Sequence, residues 1–227
     1  QQNLTFSVKE KDIFVIMGGS GCGKSSLLRV LMGLLKPGAG QVFYRGVDFW
    51  GNEKAQQDIL RSIGVMFQGG ALWTSRTLAE NIAIPLEQFT NLNARQIYEV
   101  ARYKLAQVGL SGFEEYYPSE ISGGMRKRAG IARALALDPD FVFLDEPSAG
   151  LDPVSSARLD ELILQLRDSL GMTIIIVTHE LASIFAVANN AVWLDAQSKT
   201  MLAEGNPHEL LKHGPEAVRK FLKREAG

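Results

Sequence analysis

One glycine-rich segment constrains the fold of this 227-residue chain more than any other feature. The segment reads Gly18-Gly19-Ser20-Gly21-Cys22-Gly23-Lys24-Ser25 and fits the pattern G-x-x-x-x-G-K-[ST]. The apolar run Ile13–Met17 precedes it and predicts a buried strand, whereas Ser26–Met32 follows it with the composition of a helix. A strand, a glycine turn and a helix N-terminus in this order aim several backbone N–H groups at one point, where they bind phosphate. We therefore predict a phosphate-binding loop in an α/β fold.

The loop also predicts which side chains touch a nucleoside triphosphate and its metal ion. We expect the backbone from Gly18 to Ser26 to surround the phosphates, with Lys24 reaching the β- and γ-phosphates and the Ser25 hydroxyl ligating Mg²⁺. Cys22 is the single cysteine of the chain, so an internal disulfide is excluded and a reducing cytosol is the expected compartment. We assign Cys22 a backbone role within the loop.

Charge and hydropathy narrow the choice of partners. The chain carries 24 basic and 25 acidic residues and a net charge of −1, so nucleic acid is not an expected partner. The short basic cluster Arg126-Lys127-Arg128 is predicted to be a solvated helix face. No apolar run approaches the roughly 18 residues that a membrane-spanning helix needs. We expect a soluble chain that another subunit holds at the membrane if it works there.

Short apolar runs bounded by Gly, Pro or Asp predict the remaining strands. They lie at Gln41–Tyr44, Ile63–Phe67, Phe141–Leu144, Thr173–Val177 and Ala191–Leu194. Helical spacing predicts one helix capped by Asn93, one over Gly124–Leu137 and one that begins at Pro153 and stops at Gly171. Glu209–Lys223 predicts two short amphipathic helices separated by a Gly-Pro pair. Strands that alternate with helices indicate a largely parallel sheet.

Residues 74–137 interrupt this alternation, because they are mostly helical and contain no continuous buried-strand run. We predict a single domain over residues 1–227, with a core at about 1–72 and 138–227 and an inserted helical subdomain at about 73–137. Gln2–Val8 alternates apolar and polar residues and predicts a half-buried strand. Because that strand starts without a lead-in, we expect that earlier residues have been lost.

Four polar residues follow predicted strands and complete the candidate site. In an open α/β sheet, ligands sit at the carboxyl ends of the strands. Asp145 is therefore expected to face Mg²⁺, and Glu146 to lie beside the γ-phosphate and polarise the attacking water. His179 also ends a strand and is placed for a contact with the γ-phosphate. Gln68 can ligate Mg²⁺ or hold water, and it begins the helical insertion.

Together these segments resemble the ATP-binding cassette (ABC) ATPases over essentially the whole chain. The family's motifs match the phosphate loop, the Q-loop residue Gln68, the signature Ile121-Ser122-Gly123-Gly124-Met125, the Walker B ending Asp145-Glu146-Pro147, the D-loop Ser148-Ala149-Gly150-Leu151-Asp152 and the switch histidine His179. The resemblance implies a P-loop NTPase with a RecA-like core, an N-terminal β subdomain and an inserted helical subdomain. It implies ATP and Mg²⁺ as ligands, and catalytic roles for Glu146, His179 and Gln68.

The resemblance further implies a head-to-tail homodimer. Ser122, Gly123 and Gly124 of one chain would meet the γ-phosphate held by Lys24 of the other, since N–H groups at the start of a helix form an anion site. Asp152 is expected to border the same nucleotide. ATP then holds the dimer closed, hydrolysis releases it, and membrane subunits convert this motion into transport.

Two features depart from the family pattern. Met125 stands where most of the family has Gln, and we expect it to pack as a flexible apolar side chain. The family's aromatic that stacks on adenine lies further upstream than the 17 residues that precede Gly18 here. We attribute its absence to the loss of earlier residues.

Softer matches favour one subfamily, the ATPases of the MCE-type lipid transporters, which include the Mla system that moves phospholipid between the membranes of Gram-negative bacteria. They lie at Phe67–Trp73, Leu78–Leu86, Ser122–Met125 with the following basic run, and Val218–Leu222. This resemblance implies integral-membrane permease subunits and an MCE-domain lipid-binding protein as partners, and a peripheral location on the cytoplasmic face of the inner membrane. The alternatives are the ATPase of another importer, for amino acids or other solutes, a non-transport ABC protein and a stand-alone nucleotide kinase.

Overall fold

A six-stranded sheet forms the centre of the molecule. The computed structural model describes residues 1–225. In chain order its elements are β1 (Ile13–Gly18), α1 (Lys24–Leu31), β2 (Phe43–Tyr44), β3 (Val47–Asp48), α2 (Glu53–Arg61), β4 (Ile63–Met66), α3 (Leu78–Phe89), α4 (Ala94–Gln107), a 3₁₀ turn (Pro118–Glu120), α5 (Gly123–Ala134), β5 (Phe141–Asp145), α6 (Pro153–Leu170), β6 (Thr173–Val177), α7 (Leu181–Val187), β7 (Asn190–Leu194), β8 (Met201–Gly205), α8 (Pro207–His213) and α9 (Glu216–Lys223).

The strand order in this sheet is β4-β5-β6-β1-β7-β8. Neighbouring strands are parallel from β4 to β7 and antiparallel between β7 and β8. Val177 of β6 is in register with both Asp145 and Ile16, so the carboxyl ends of β5, β6 and β1 meet at one edge. The predicted, largely parallel sheet is confirmed.

Strand alternation divides the core into two layers. Ile13, Val15 and Met17 of β1 join the larger apolar cluster on one face, which α3 to α9 cover. Phe14 and Ile16 join the smaller cluster on the other face, together with side chains of α1 and the β2–β3 hairpin. Because successive side chains of a strand point to opposite faces, a strand with helices on one face and a hairpin on the other is apolar at every position.

Local sequence signals set several helix ends. The Asn93 side chain accepts a hydrogen bond from the Gln96 N–H to cap α4, and Asp152 caps α6 just before Pro153. Gly171 ends α6 in the left-handed conformation, with φ of 66°. The helix predicted over Gly124–Leu137 instead spans Gly123–Ala134 and stops three residues early. The Gly-Pro pair separates α8 from α9, as predicted.

One strand prediction is wrong, and two strands, β3 and β8, were not predicted. The segment Gln2–Val8 is not a strand, although Leu4, Phe6 and Val8 are half-buried as the alternation predicts. The Phe6 ring stacks on Phe14 at a centroid distance of 5.4 Å, so packing alone explains the alternation and no ladder partner is needed. β8 was missed because its side chains are half-buried or exposed and include Glu204. The N-terminal β subdomain amounts to the short antiparallel β2–β3 hairpin within the described residues.

The predicted insertion folds as α3, α4 and α5, which pack on one another through the larger apolar cluster. α5 also lies against the sheet at β4. A Cβ on Gly64 would lie 2.1 Å from the Ala134 carbonyl oxygen, and one on Gly130 would lie 2.9 Å from the Gly70 Cα, so only glycine allows this approach. Of the helices in residues 1–225, none combines the length and apolar character that a bilayer crossing requires.

Candidate nucleotide site

The phosphate loop connects β1 to α1 as predicted. Gly18 ends β1 where a Cβ would lie 2.3 Å from the Leu194 carbonyl oxygen, and Gly23 caps α1 with φ of 88°. Lys24 Nζ donates hydrogen bonds to the carbonyl oxygens of Gly18 at 2.8 Å and Gly19 at 2.9 Å. The lysine therefore folds back across the loop.

The other residues of the loop divide into an exposed rim and one buried side chain. Ser20, Gly21, Ser25 and Ser26 are exposed. Cys22 is buried, and its Sγ lies 3.8 Å from Lys24 Nζ. The exposed rim can meet a ligand from solvent, whereas the cysteine packs underneath it.

Asp145 ends β5 in a half-buried position. Burial raises the pKa of its carboxyl, and the neighbouring Glu146 carboxylate raises it further, while the cations Arg29, Lys127 and Lys24 oppose the shift. An additional cation here would favour the ionised carboxylate. This electrostatic situation suits a metal ligand.

Glu146 and His179 are in direct contact. Oε1 of Glu146 lies 2.7 Å from His179 Nδ1, and Oε2 accepts a hydrogen bond of 3.2 Å from the Thr178 hydroxyl. The Glu146 side chain is 13% exposed and that of His179 is 58% exposed. The backbone of Glu146 is left-handed, with φ of 48°, and its N–H donates to the Val177 carbonyl at 2.8 Å. Two predicted site residues are thus joined at the ends of β5 and β6.

The prediction of a solvated basic face is wrong for Lys127. Lys127 is only 6% exposed, and its Nζ donates a hydrogen bond of 3.1 Å to the carbonyl oxygen of Glu146. Burial lowers the pKa of Lys127, while Glu146 and Asp145 favour its charged form. Helical spacing could have predicted this burial. Lys127 lies four residues before the buried Ile131, so both lie on the inward face of α5.

Gln68 lies two residues past the end of β4, at the same sheet edge as Asp145, and is exposed. Met66 of β4 is in register with Leu144 of β5, which fixes this placement. Gly69 and Gly70 follow in left-handed conformations and turn the chain toward the helical insertion.

Ser122 is the exposed N-cap of α5, where its Oγ accepts a hydrogen bond of 3.3 Å from the Met125 N–H. A Cβ added to Gly123 would lie 3.8 Å from the Leu151 side chain of the D-loop, and one on Gly124 would lie 3.9 Å from the Ser155 Cβ in the first turn of α6. The signature motif therefore lies beside the D-loop rather than against loop 18–26 of its own chain.

The side chains of Asp152, which is exposed, and Met125 each have partners within their own chain. The Asp152 carboxylate accepts hydrogen bonds of 3.0 Å from the N–H groups of Val154 and Ser155, and hydrogen bonds from Ser155 depress its pKa. Met125 packs against the larger apolar cluster, in agreement with the expectation from the sequence.

A buried polar chain that sequence reasoning missed links the D-loop to α7. Ser183 Oγ lies 2.9 Å from Asp160 Oδ2 and 3.3 Å from Ser148 Oγ, and all three residues are at most 6% exposed. Burial raises the pKa of Asp160 to about 6. Asp160 lies beside Leu159 on the inward face of α6, and a carboxylate on the apolar stripe of a helix is the signal that could have revealed it.

The fold and this site define a P-loop NTPase. The chain belongs to the ABC transporter family, whose model matches residues 1–149. The family assignment made from the motifs is therefore confirmed, and so is the P-loop NTPase fold.

Curated relatives include two kinds of ATP-binding subunit. The chain is 41% identical over 223 residues to the "Probable ribonucleotide transport ATP-binding protein mkl" of Mycobacterium tuberculosis, covering 97% of this chain and 61% of that protein. It is 38% identical to the "Intermembrane phospholipid transport system ATP-binding protein MlaF" of Haemophilus influenzae, covering 99% of this chain and 84% of that one. The chain thus spans 61–63% of the length of its mycobacterial relatives.

Solved ABC cassettes share the fold. cbiO1 of Clostridium perfringens, part of the transporter complex cbiONQ, superposes with a TM-score of 0.83 at 27% identity, covering 96% of this chain and 86% of that one. The dimeric cassette MJ0796, in a post-hydrolysis state bound to ADP and Pi, superposes with a TM-score of 0.80 at 28% identity, covering 90% of this chain and 89% of that one.

Proposed function

We propose that this chain is the ATP-hydrolysing subunit of an ABC transporter that moves phospholipid between membranes, as in the MCE/Mla type. One observation carries the ATPase assignment: the phosphate loop after β1, the carboxylates after β5 and His179 after β6 lie at one sheet edge. The MlaF relatives support phospholipid as the substrate class.

ATP would bind with its phosphates on loop 18–26 at the N-terminus of α1. Lys24 Nζ, now bonded to the Gly18 and Gly19 carbonyls, lies over the loop and can exchange these partners for β- and γ-phosphate oxygens. The exposed Ser20, Ser25 and Ser26 add hydroxyl groups to the backbone N–H groups of the loop.

Mg²⁺ fits a set of three oxygen donors, namely the Ser25 hydroxyl, the Gln68 amide oxygen and the Asp145 carboxylate. Hard oxygen ligands with few carboxylates are typical of Mg²⁺ sites that also use substrate phosphates. Burial, followed by the neighbouring Glu146 carboxylate, raises the pKa of Asp145, and a bound cation would offset both effects. When bound, the ion neutralises charge on the β- and γ-phosphates.

Glu146 is the candidate base for hydrolysis. Its carboxylate would accept a proton from water as the water oxygen bonds to the γ-phosphorus and the bond to the ADP oxygen breaks. His179 Nδ1 and the Thr178 hydroxyl orient that carboxylate through one oxygen each. The exposed edge of the His179 ring remains available to the γ-phosphate.

The active unit would be a head-to-tail homodimer. Ser122, Gly123 and Gly124 present the start of α5 to solvent beside Asp152, and a second copy can offer its nucleotide there. The dimeric state of the MJ0796 cassette supports this arrangement.

An apolar cleft beside Gln68 offers a docking site for the permease. The cleft has a volume of about 520 Å³ and lies between α2 and β4 on one side and α3 on the other. Three aromatic side chains line it and remain 40–56% exposed, namely Phe67, Trp73 and Phe89. Exposed aromatics around a concave surface are typical of protein interfaces. We propose that a cytoplasmic helix of an inner-membrane permease docks in this cleft. We further propose that an MCE-domain lipid-binding protein belongs to the same transporter complex.

Reconstitution of the chain with its permease in liposomes tests the proposal. ATP should drive phospholipid transfer, and Glu146→Gln should keep ATP binding while hydrolysis falls by about 10²-fold or more. Turnover near wild type in that variant would refute the role of Glu146. ATP-driven movement of an amino acid or another solute, without lipid transfer, would favour the alternative importer.

A further inference from the structure

Lys127 is a buried cation that the mechanism above does not use. It is 6% exposed on α5, and its Nζ donates a hydrogen bond of 3.1 Å to the Glu146 carbonyl oxygen. Burial of an ammonium group is unfavourable unless polar partners replace its hydration. The Glu146 carbonyl, with the Glu146 and Asp145 carboxylates nearby, supplies this compensation.

The hydrogen bond from Lys127 is accepted by Glu146, whose backbone conformation is strained. Glu146 has φ of 48°, a conformation that non-glycine residues seldom adopt without external support. Its N–H donates to Val177 at 2.8 Å, and its carbonyl accepts from Lys127 and, at 3.3 Å, from the Ala149 N–H. The backbone angle fixes the direction in which the side chain leaves the chain, so these bonds also aim the carboxylate.

The same helix begins at Ser122. The Ser122 carbonyl accepts a hydrogen bond of 2.9 Å from the Arg126 N–H, so Ser122 and Lys127 belong to one continuous helical segment. A shift of the helix start therefore moves the Lys127 ammonium group relative to Glu146.

We propose that Lys127 is a positioning residue for Glu146, and that α5 couples its hydrogen bond to Ser122. The inference rests on the head-to-tail dimer of the proposed function. There, the nucleotide of one site contacts Ser122 of the opposite chain, and Lys127 of that chain aims the Glu146 that serves the other site. The two sites thus communicate through one helix and one hydrogen bond.

Lys127→Met tests the positioning role, because it keeps the apolar arm and removes the donor. In the assembled dimer we expect kcat to fall at least tenfold, while KM and ATP-dependent dimerisation change less than threefold. In a Glu146→Gln background, Lys127→Met should lower the residual single-turnover rate by less than twofold, because the base that it positions is gone. If Lys127→Met does not fold, Lys127→Gln, which has a shorter side chain, replaces it. This variant should also lose kcat with little change in KM, and it should also have little effect in the Glu146→Gln background.

Lys104→Met is the matched control. Lys104 is also a buried lysine, 1% exposed, but its Nζ pairs with Asp138, 2.5 Å away, outside the site. We expect this variant to keep wild-type kcat. Normal kcat for Lys127→Met, or a further tenfold loss in the Glu146→Gln background, would overturn the inference while leaving the ATPase assignment intact. Wild-type turnover for Glu146→Gln alone would instead overturn the proposed function.

Discussion

The Nδ1 atom of His179 lies 2.7 Å from the Oε1 atom of Glu146, and this contact joins the ends of two neighbouring strands. The histidine is largely exposed and the carboxylate largely buried. If Glu146 is the base proposed above, this contact allows His179 to orient it.

Removal of the imidazole should slow hydrolysis more than it weakens binding. We expect His179→Ala to lower kcat by about tenfold or more, because a positioned base contributes about 10²–10⁴-fold and one of its two side-chain partners is lost. Steady-state kinetics at saturating ATP measure this effect. His213→Ala is the control, since His213 is exposed and pairs only with Glu209 at 3.9 Å among the described residues. Equal kcat in the two variants would contradict the orienting role.

Lys24→Ala should weaken ATP binding and abolish hydrolysis while the fold survives. Its two bonds to the Gly18 and Gly19 carbonyls are each worth about 1 kcal/mol, so the loss of unfolding free energy should stay near 2 kcal/mol. Labelled-ATP binding and circular dichroism measure the two effects. The exposed Lys36, changed to Ala, serves as the control. Unchanged ATP affinity in Lys24→Ala would refute the phosphate-loop assignment.

The sequence predicted the loop and the strand ends because their signals are local. A glycine pattern between an apolar strand and a helix has few alternative folds, and polar residues directly after strands such as Asp145 and His179 must meet at a sheet edge. Lys127 was wrongly predicted to be solvated, and the burial of Asp160 was not predicted. Whether a charged side chain is buried depends on partners that are distant in the sequence. Glu146 lies 19 positions from Lys127 in the sequence, yet its carbonyl oxygen is 3.1 Å from the Lys127 Nζ and supplies one such partner.

The weak strands were harder to predict for a related reason. β8 pairs at the edge of the sheet through its backbone, so its half-exposed side chains carry no apolar pattern. Gln2–Val8 has the alternating apolar pattern of a strand but does not pair with a strand of the sheet. Backbone partners, unlike buried faces, leave no mark on the order of side chains.

The pKa of Asp160 predicts how stability depends on pH. Its folded value of about 6 exceeds the reference value of 3.8, so the folded state binds the proton more tightly. The resulting stabilisation is fully present below about pH 4 and is lost as the pH rises through 6. Asp160→Asn removes this dependence, and at pH 7.5 it should be more stable than the wild type by at most about 3 kcal/mol.

Urea unfolding of the wild type and the variant at pH 4 and pH 7.5 measures this difference in the free energy of unfolding. The other titratable groups are the same in both proteins, so their contributions to the pH dependence cancel. The amide oxygen introduced by Asp160→Asn can accept the same hydrogen bond from the Ser183 hydroxyl, so the variant should keep the link to Ser148. A stability difference between the two proteins that is the same at both pH values would show that Asp160 titrates normally.

A charge in the apolar cleft should separate the chain from the proposed permease. We expect Phe89→Asp to lose the co-purifying permease, because an aspartate in the cleft would have to be desolvated on docking. The isolated subunit should keep its basal ATPase activity. Tyr103→Asp is the matched control, since Tyr103 is an aromatic of α4 that is 60% exposed and does not line the cleft. Retention of the permease by Phe89→Asp would place the docking site elsewhere.

Mixed dimers test whether Ser122 acts on the nucleotide of a second copy. Lys24→Ala removes the phosphate contact of one half-site, and Ser122→Arg adds bulk at the opposing half-site, where the exposed N-cap of α5 would close on it. Lys24→Ala in one chain and Ser122→Arg in the other put both lesions in one composite site and leave the second site intact. Both lesions in a single chain instead damage both sites.

The dimer with one intact site should trap nucleotide in that site, whereas the dimer with two damaged sites should not. Site-resolved trapping is the better measurement, because cooperativity between the sites can hide the difference in turnover. A head-to-tail dimer requires this asymmetry, since Lys24 and Ser122 of one chain then belong to different sites. Identical trapping in the two mixtures, or activity that stays linear in protein concentration down to monomeric samples, would show that each chain hydrolyses ATP alone.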